Sequence, residues 1–244
     1  MSESVRLAKR LAEMLPCSRR EAELYIEGGW VKVDGQVVEV VGYRVLPQQQ
    51  VELLPGATVE TAEPVTILLH KPAGVDASVN GAEANPLLQF ITPANRADDD
   101  KSDLKFLQRH LRDLRMLMPL VIDASGLLVF SQDWRVVRKL VEDGDKVEQE
   151  YVVEVAGELA PNGLALLNHG LNWNGKPLPP IKVSWQNETR LRFALKGVQP
   201  GQIKGMCEKV GLTVLAVKRI RIGRVPMAGL QPGKWRYLSA DEQF

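Results

Sequence analysis

The sequence predicts an α+β protein: a small helix–helix–hairpin module followed by a larger, mainly antiparallel mixed-sheet domain. Three observations carry this. Apolar residues recur at helical spacing near the N-terminus, at Leu7, Leu11, Met14 and Leu15. An Asp34-Gly35 pair then joins two short alternating runs, a strong two-residue hairpin signal. Beyond residue 64, alternating segments such as Glu150–Val155 are separated by turns, and few stretches have helical periodicity.

In the module, Pro16 stops the first helix, and Ser18-Arg19-Arg20-Glu21 has the form of a capping box that starts the second. Gly28-Gly29 ends that helix, and Trp30–Val33 and Gln36–Val38 form the hairpin. Arg6, Lys9 and Arg10 are spaced to share a helix face. Arg19 and Arg20 fall on a helix first turn, where backbone N–H groups favour phosphate, and Lys32 lies in the hairpin. Taken singly, each of these basic residues reads as part of a solvated charged face, because Glu13, Glu21, Glu23 and Glu27 balance them.

The Pro- and Gly-punctuated stretch Leu54–Pro64 reads as a linker between a domain at 1–60 and one at 64–244. Val65–His70 reads as a buried strand entering the turn Lys71-Pro72-Ala73-Gly74. Residues 92–103 are rich in Pro, Asn and Asp and read as a flexible surface loop. Leu104, Leu107, Leu111, Leu114 and Met118 then form an apolar stripe expected on a helix, with Ser102 as its cap and Lys105, Arg109 and Arg112 on its other side.

That helix would lead to Met118–Phe130, read as strand, turn, strand, with Asp123 at the end of a buried strand. Asp133 should cap a helix over Trp134–Glu142, and Tyr151 should share a strand face with Val153 and Val155. Strands near 181–185 and 190–195 should pair through Asn187-Glu188-Thr189. From Arg190 to Arg224 there are nine basic residues against Glu208 alone, as expected for a polyanion-binding surface. On an unbroken strand Arg219 and Arg221 would share a face.

The composition excludes other classes. With 45% hydrophobic and 25% charged residues the chain is an ordinary globular protein. It has no apolar run of bilayer-spanning length and no signal-peptide core. Cys17 and Cys207 lack neighbours at metal-ligand spacing, so neither zinc nor a disulfide framework is expected. A cytoplasmic monomer is the expectation.

Two resemblances sharpen this reading. Arg6, Leu7, Lys9, Leu11, Ala12, Ser18 to Ala22, Ile26, Gly29, Val31, Val33 and Gly35 resemble the ribosomal S-four-type RNA-binding domain. The whole chain resembles the RsuA-like family of RNA pseudouridine synthases. The matches are Lys71-Pro72-x-Gly74, Gly126-Leu127-Leu128, Glu150-Tyr151-Val152-Val153, Gln202-Ile203-Lys204-x-Met206, Arg219-x-Arg221-Ile222-Gly223 and Pro232-Gly233-x-Trp235-Arg236.

This resemblance implies isomerisation of uridine in structured RNA, ribosomal RNA in particular, without metal or cofactor. It implies Asp123 as catalytic carboxylate, Lys204 as its paired cation and Tyr151 as the aromatic residue of the site. The implied RNA contacts are Arg6, Lys9, Arg10, Ser18, Arg19, Arg20, Lys32, Lys71, Arg219 and Arg221.

The chain departs from the family pattern in four places. His70 replaces the Asn before Lys71, Gly201 replaces a His or Arg, and Gly205 replaces a common basic residue. The family also has four residues between its Asp and the Gly that Gly126 matches, whereas only Ala124 and Ser125 separate Asp123 from Gly126. Aligned with a two-residue deletion, Asp123 is the nucleophile. Aligned without gaps, Val121 takes that place and Pro119 replaces the Arg, which leaves the alternative of an RNA-binding assembly or folding factor.

Overall fold

A computed structural model describes residues 3–59, 63–77 and 85–244, which form two compact units. The first comprises residues up to Pro64 together with Leu104–Arg112, and the second comprises Val65–Asp103 and Asp113–Phe244.

In the first unit, helices α1 (Leu7–Met14) and α2 (Arg19–Glu27) precede strands β1 (Val31–Val33), β2 (Gln36–Val37) and β3 (Val51–Leu53), ordered β2-β1-β3. The capping box forms: Ser18 Oγ accepts from Glu21 N (3.2 Å), and Ser18 N donates to the Glu21 carboxylate (2.6 Å). Leu7, Leu11, Ala22, Ile26, Val31 and Val33 form the core. Asp34 (φ 50°) and Gly35 (φ 82°) make the hairpin turn, where left-handed backbone suits Gly and Asp.

The expected helix over 104–118 is absent. Residues 108–111 make one 3-10 turn, and Arg115–Leu117 is a strand, β5. Asp113 breaks the path with φ 52°. Residues 104–112 complete the first unit instead. There the Lys105 ammonium donates to Gly29 O (3.2 Å) and lies 5.8 Å from the Trp30 ring centroid, Gln108 N donates to Glu39 (2.6 Å), and Arg112 pairs with Glu27 (3.0 Å). These tertiary contacts override a leucine periodicity that fits a helix.

The second unit is built on one nine-stranded sheet. Besides β5 its strands are β4 (Thr66–Lys71), β6 (Ser125–Ser131), β7 (Gln149–Gly157), β8 (Lys182–Asn187), β9 (Arg190–Leu195), β10 (Leu212–Ile222) and β11 (Trp235–Tyr237). The main order is β8-β9-β7-β10-β6-β4-β11; β5 pairs with β6, and Val225–Pro226 pairs with β10. Every pairing is antiparallel except β10 with β6. The mainly antiparallel mixed sheet is therefore as expected. Helices α3 (Trp134–Glu142), α4 (Gly163–Asn168) and α5 (Gln202–Lys209) pack on it. Asp133 caps α3 through Arg135 N (2.9 Å).

Residues 92–103 are tied down rather than loose. Arg96 donates to Asp100 (2.7 Å) and Ser102 O (2.9 Å), and its guanidinium lies 5.9 and 5.0 Å from the ring centroids of Trp235 and Tyr237. Among the described residues no helix is long and apolar enough to cross a membrane.

Candidate active site

The site grows from one row across the sheet. Lys71 on β4 lies opposite Gly126 on β6, Gly126 opposite Arg219 on β10, and Arg219 opposite Tyr151 on β7. Four of the sequence motifs thus converge at one level. Gly126 is dictated by this crossing. Its φ is +111°, and a side chain there would meet the Arg219 main chain, with its Cβ 2.6 Å from the amide nitrogen.

Asp123 is exposed, on the turn just before β6, rather than at the end of a buried strand. Residues 118–124 are loop, with Leu120 and Ala124 buried and Val121 and Ile122 exposed. Leu120 and Ala124 belong to the same apolar cluster as Tyr151, which anchors the turn to that core. Val121 is 47% exposed and lies outside that cluster.

Beneath the turn is Lys71, fully buried at 0% exposure. Its ammonium donates to the carbonyls of Ile122 (3.0 Å) and Ala124 (2.7 Å), on the two sides of Asp123, and to Pro72 O (3.0 Å). Gly74 N also donates to Ile122 O (2.8 Å), so the Lys-Pro-x-Gly motif grips the carboxylate turn directly. Burial pulls the Lys71 pKa down to about 8, against the opposing attraction of Asp123 and then Asp76. Lys71 was expected to contact RNA; its burial excludes a phosphate contact and makes it a brace.

Lys204 does not pair with Asp123. Among the described residues no carboxylate–ammonium contact within 4.0 Å joins them, and Lys204 is exposed on α5. The two glycines flanking it have different causes, since Gly201 takes left-handed backbone (φ 75°) while Gly205 makes room for a ring. The Trp173 indole lies over Gly201 and Gly205, and a Cβ at 205 would collide with its ring. An indole thus occupies the helix face where the family carries cations.

Arg219 and Arg221 do not share a face. A bulge between them shifts the register, so Arg219 faces Tyr151 and Arg221 faces Glu150. Arg219 is buried at 1% exposure and cannot reach a phosphate. Its Nε donates to Leu127 O (2.9 Å), Nη1 to Gln149 Oε1 (3.0 Å) and Nη2 to Met118 O (2.6 Å). Gln149 Oε1 also accepts from the Tyr151 hydroxyl (2.8 Å). Burial lowers the Arg219 pKa, offset by the Tyr151 oxygen.

Arg221 is bound to Glu148 (2.6 Å) and Glu150 (2.7 Å), Arg192 to Glu150, and Arg190 to Glu154 (3.1 Å). Hydrogen bonds from Arg221 and Arg192 hold the Glu150 pKa down despite partial burial. Three cations of the last third, Arg190, Arg192 and Arg221, are therefore neutralised across strands by acids contributed from β7 and its approach, whereas Lys196, Lys204, Lys209 and Arg224 stay exposed. His70 is buried, and its Nδ1–H donates to Leu230 O (2.6 Å); burial lowers its pKa, so it sits as a neutral structural residue where the family has Asn.

In the first unit Arg6, Lys9, Ser18, Arg19 and Arg20 are exposed, and Arg10 and Lys32 are half-buried. Arg6 precedes α1 in extended backbone, so it is not on the helix face of Lys9 and Arg10. Lys9 pairs with exposed Glu13 (3.9 Å) and Arg20 with half-buried Glu23 (3.6 Å), weak pairs that exchange easily for phosphate.

Gln149 and Trp173 were not anticipated. Gln149 had a signal: it is a polar residue at the position two before Tyr151, in the apolar register of β7.

Comparison with known proteins agrees with this architecture. Residues 5–51 match the S4 domain. The chain is 30% identical to the dual-specificity RNA pseudouridine synthase RluF of Escherichia coli strain K12, covering 98% of this chain and 77% of RluF. It is 29% identical to ribosomal large subunit pseudouridine synthase B of Bacillus subtilis, over 97% of this chain and 93% of that protein. A crystal structure of a pseudouridylate synthase shares the fold, with TM-score 0.58 and 22% identity over 97% of this chain and 96% of that one. The chain belongs to the RluF/RsuA-type family of RNA pseudouridine synthases, with an S4 domain at its N-terminus.

Proposed function

We propose that the protein isomerises a uridine to pseudouridine in structured ribosomal RNA, with Asp123 as the acting carboxylate. The observation that carries this is the presentation of Asp123: the peptide carbonyls on both sides of it are held from below by a buried ammonium, leaving the carboxylate exposed. The names of the relatives support the RNA class, and those of RluF and synthase B support a ribosomal one.

A uridine inside folded RNA must leave its stack before its glycosidic bond is reached. With the Asp123 carboxylate acting on the extruded nucleotide, the N1–C1′ bond breaks and the uracil rotates. A C5–C1′ bond forms, C5 gives up its proton and N1 gains one. The S4 unit supplies sequence-independent affinity through Arg19 and Arg20 at the start of α2, with Arg6, Lys9, Arg10, Ser18 and Lys32 around them. Exposed Lys204 adds a phosphate contact on α5.

The test is pseudouridine mapping of total RNA from wild-type, deletion and Asp123→Asn strains. The expected result is one or a few sites lost in the deletion and not restored by Asp123→Asn. A second reading, RNA binding without bond chemistry, is favoured by the missing Asp123–Lys204 pair. It predicts an unchanged pseudouridine map with altered ribosomal subunit assembly in the deletion strain.

A further inference from the structure

Arg219 is a full positive charge at 1% exposure, and among the described residues no carboxylate lies within 4.0 Å of it. Its neighbours are three neutral oxygens, from Leu127, Met118 and Gln149. A buried charge without a counter-ion is costly, and structural needs alone are better met by an apolar side chain of similar size. The local backbone is also bent toward this arrangement. A register shift between Val214 and Ala216 precedes Arg219 on β10 and leaves it opposite buried Tyr151, and Met118 takes left-handed backbone (φ 51°) with its carbonyl on the guanidinium.

The three contacts join parts that are distant in sequence. Met118 opens the turn that carries Asp123, Leu127 follows Gly126 on β6, and Gln149 shares its Oε1 between Arg219 and the Tyr151 hydroxyl. With its carbonyl oxygen taken by two donors, Gln149 is fixed in orientation, and it fixes the phenol. Charge-assisted bonds of this kind are shorter and stronger than neutral ones, and in a dry site they polarise one another.

We propose that Arg219 and Gln149 are positioning residues for the pseudouridine synthase site, setting the Tyr151 hydroxyl and the Asp123 turn against one another through a single buried guanidinium. The inference rests on the function proposed above for Asp123 and on the place in the site that the family resemblance implies for Tyr151. Nothing in it requires Arg219 or Gln149 to touch RNA.

The test uses the full-length protein with Gln149→Leu, Gln149→Glu and Arg219→Lys, measured in two ways. Steady-state kinetics on substrate RNA should show Gln149→Leu lowering kcat at least about tenfold with KM within about twofold, since small displacements cost that much in rate. Gln149→Glu keeps an acceptor for both donors and should retain most of the activity. Hydrogen exchange should show Arg219→Lys speeding the amides of Gly74 and Ala124, which bond the carbonyls of Ile122 and Val121, while Val155 on β7 stays protected.

A Gln149→Leu protein with wild-type kcat overturns the proposal, as does one in which KM and kcat change together and Gln149→Glu rescues neither. A uniform rise in exchange across the sheet also overturns it, by making Arg219 a general fold-stabilising residue. If the wild-type protein has no turnover, the proposed function fails; the exchange pattern still decides the role of Arg219.

Discussion

Lys71 shows how one residue can be legible in the sequence and still be given the wrong task. The Lys-Pro-x-Gly turn is visible from its residues, but nothing local shows that the ammonium is turned inward onto the Ile122 and Ala124 carbonyls. Its pKa of about 8 has a consequence with two opposite signs. Above that pH the ammonium loses its proton, its grip on the turn weakens and Asp123 loses its nearby cation, so pseudouridine formation should fall as pH rises through about 8. Stability should move the other way. Unfolded Lys71 returns to the ordinary range near 10.5, so between about 8 and 10.5 the unfolded chain holds more protons, and this group's contribution to stability rises with pH. A pH–rate profile alongside melts at the same pH values checks both. Lys71→Met should lower activity throughout and remove this alkaline limb; an alkaline limb unchanged in Lys71→Met would assign it to another group.

At the level of elements, the strands were the most readable part, because alternation reports burial directly. Tyr151, Val153 and Val155 are buried as the pattern requires. The helix expected over 104–118 failed because an apolar 3–4 spacing is blind to the partner. Leu107 packs against Gly29 of the first unit, and Leu117 belongs to a strand of the second. The two register shifts in β10 were equally hidden, since one extra residue reverses the facing of everything after it. The crossing of β6 and β10 yields a direct prediction. Gly126→Ala places a Cβ against the Arg219 main chain at φ +111°, and should cost about 2–5 kcal/mol from backbone strain and overpacking combined. Chemical denaturation measures it, and a change below about 1 kcal/mol would mean that the two strands part easily.

Over the whole molecule, charge was the least reliable guide to place. Nine basic residues gathered in the last third look like a binding surface, yet Arg190, Arg192 and Arg221 meet acids that are 36 to 73 positions away in sequence, and Arg219 is inside. The exposed basic residues around α1 and α2, with Lys204 on α5, are then the ones to answer for RNA affinity. Binding of ribosomal RNA fragments should weaken steeply with salt, and Arg19→Gln with Arg20→Gln should reduce the slope of log K against log salt by about 1.5 to 2. The paired variant Arg190→Gln with Arg192→Gln should leave that slope alone. Filter binding from low to moderate potassium chloride tests both arms, and equal effects of the two pairs would refute this assignment of the surface.

The chain leaves the first compact unit, returns to it for Leu104–Arg112, and departs again. That module is consequently not a continuous piece of the polypeptide. A gene fragment stopping at the linker would encode it without the nine residues that cover Gly29 and Trp30, so excision should yield a frayed, protease-prone product. Grafting those nine residues back through a short Gly/Ser tether is the way to obtain it as a separate, well-behaved domain.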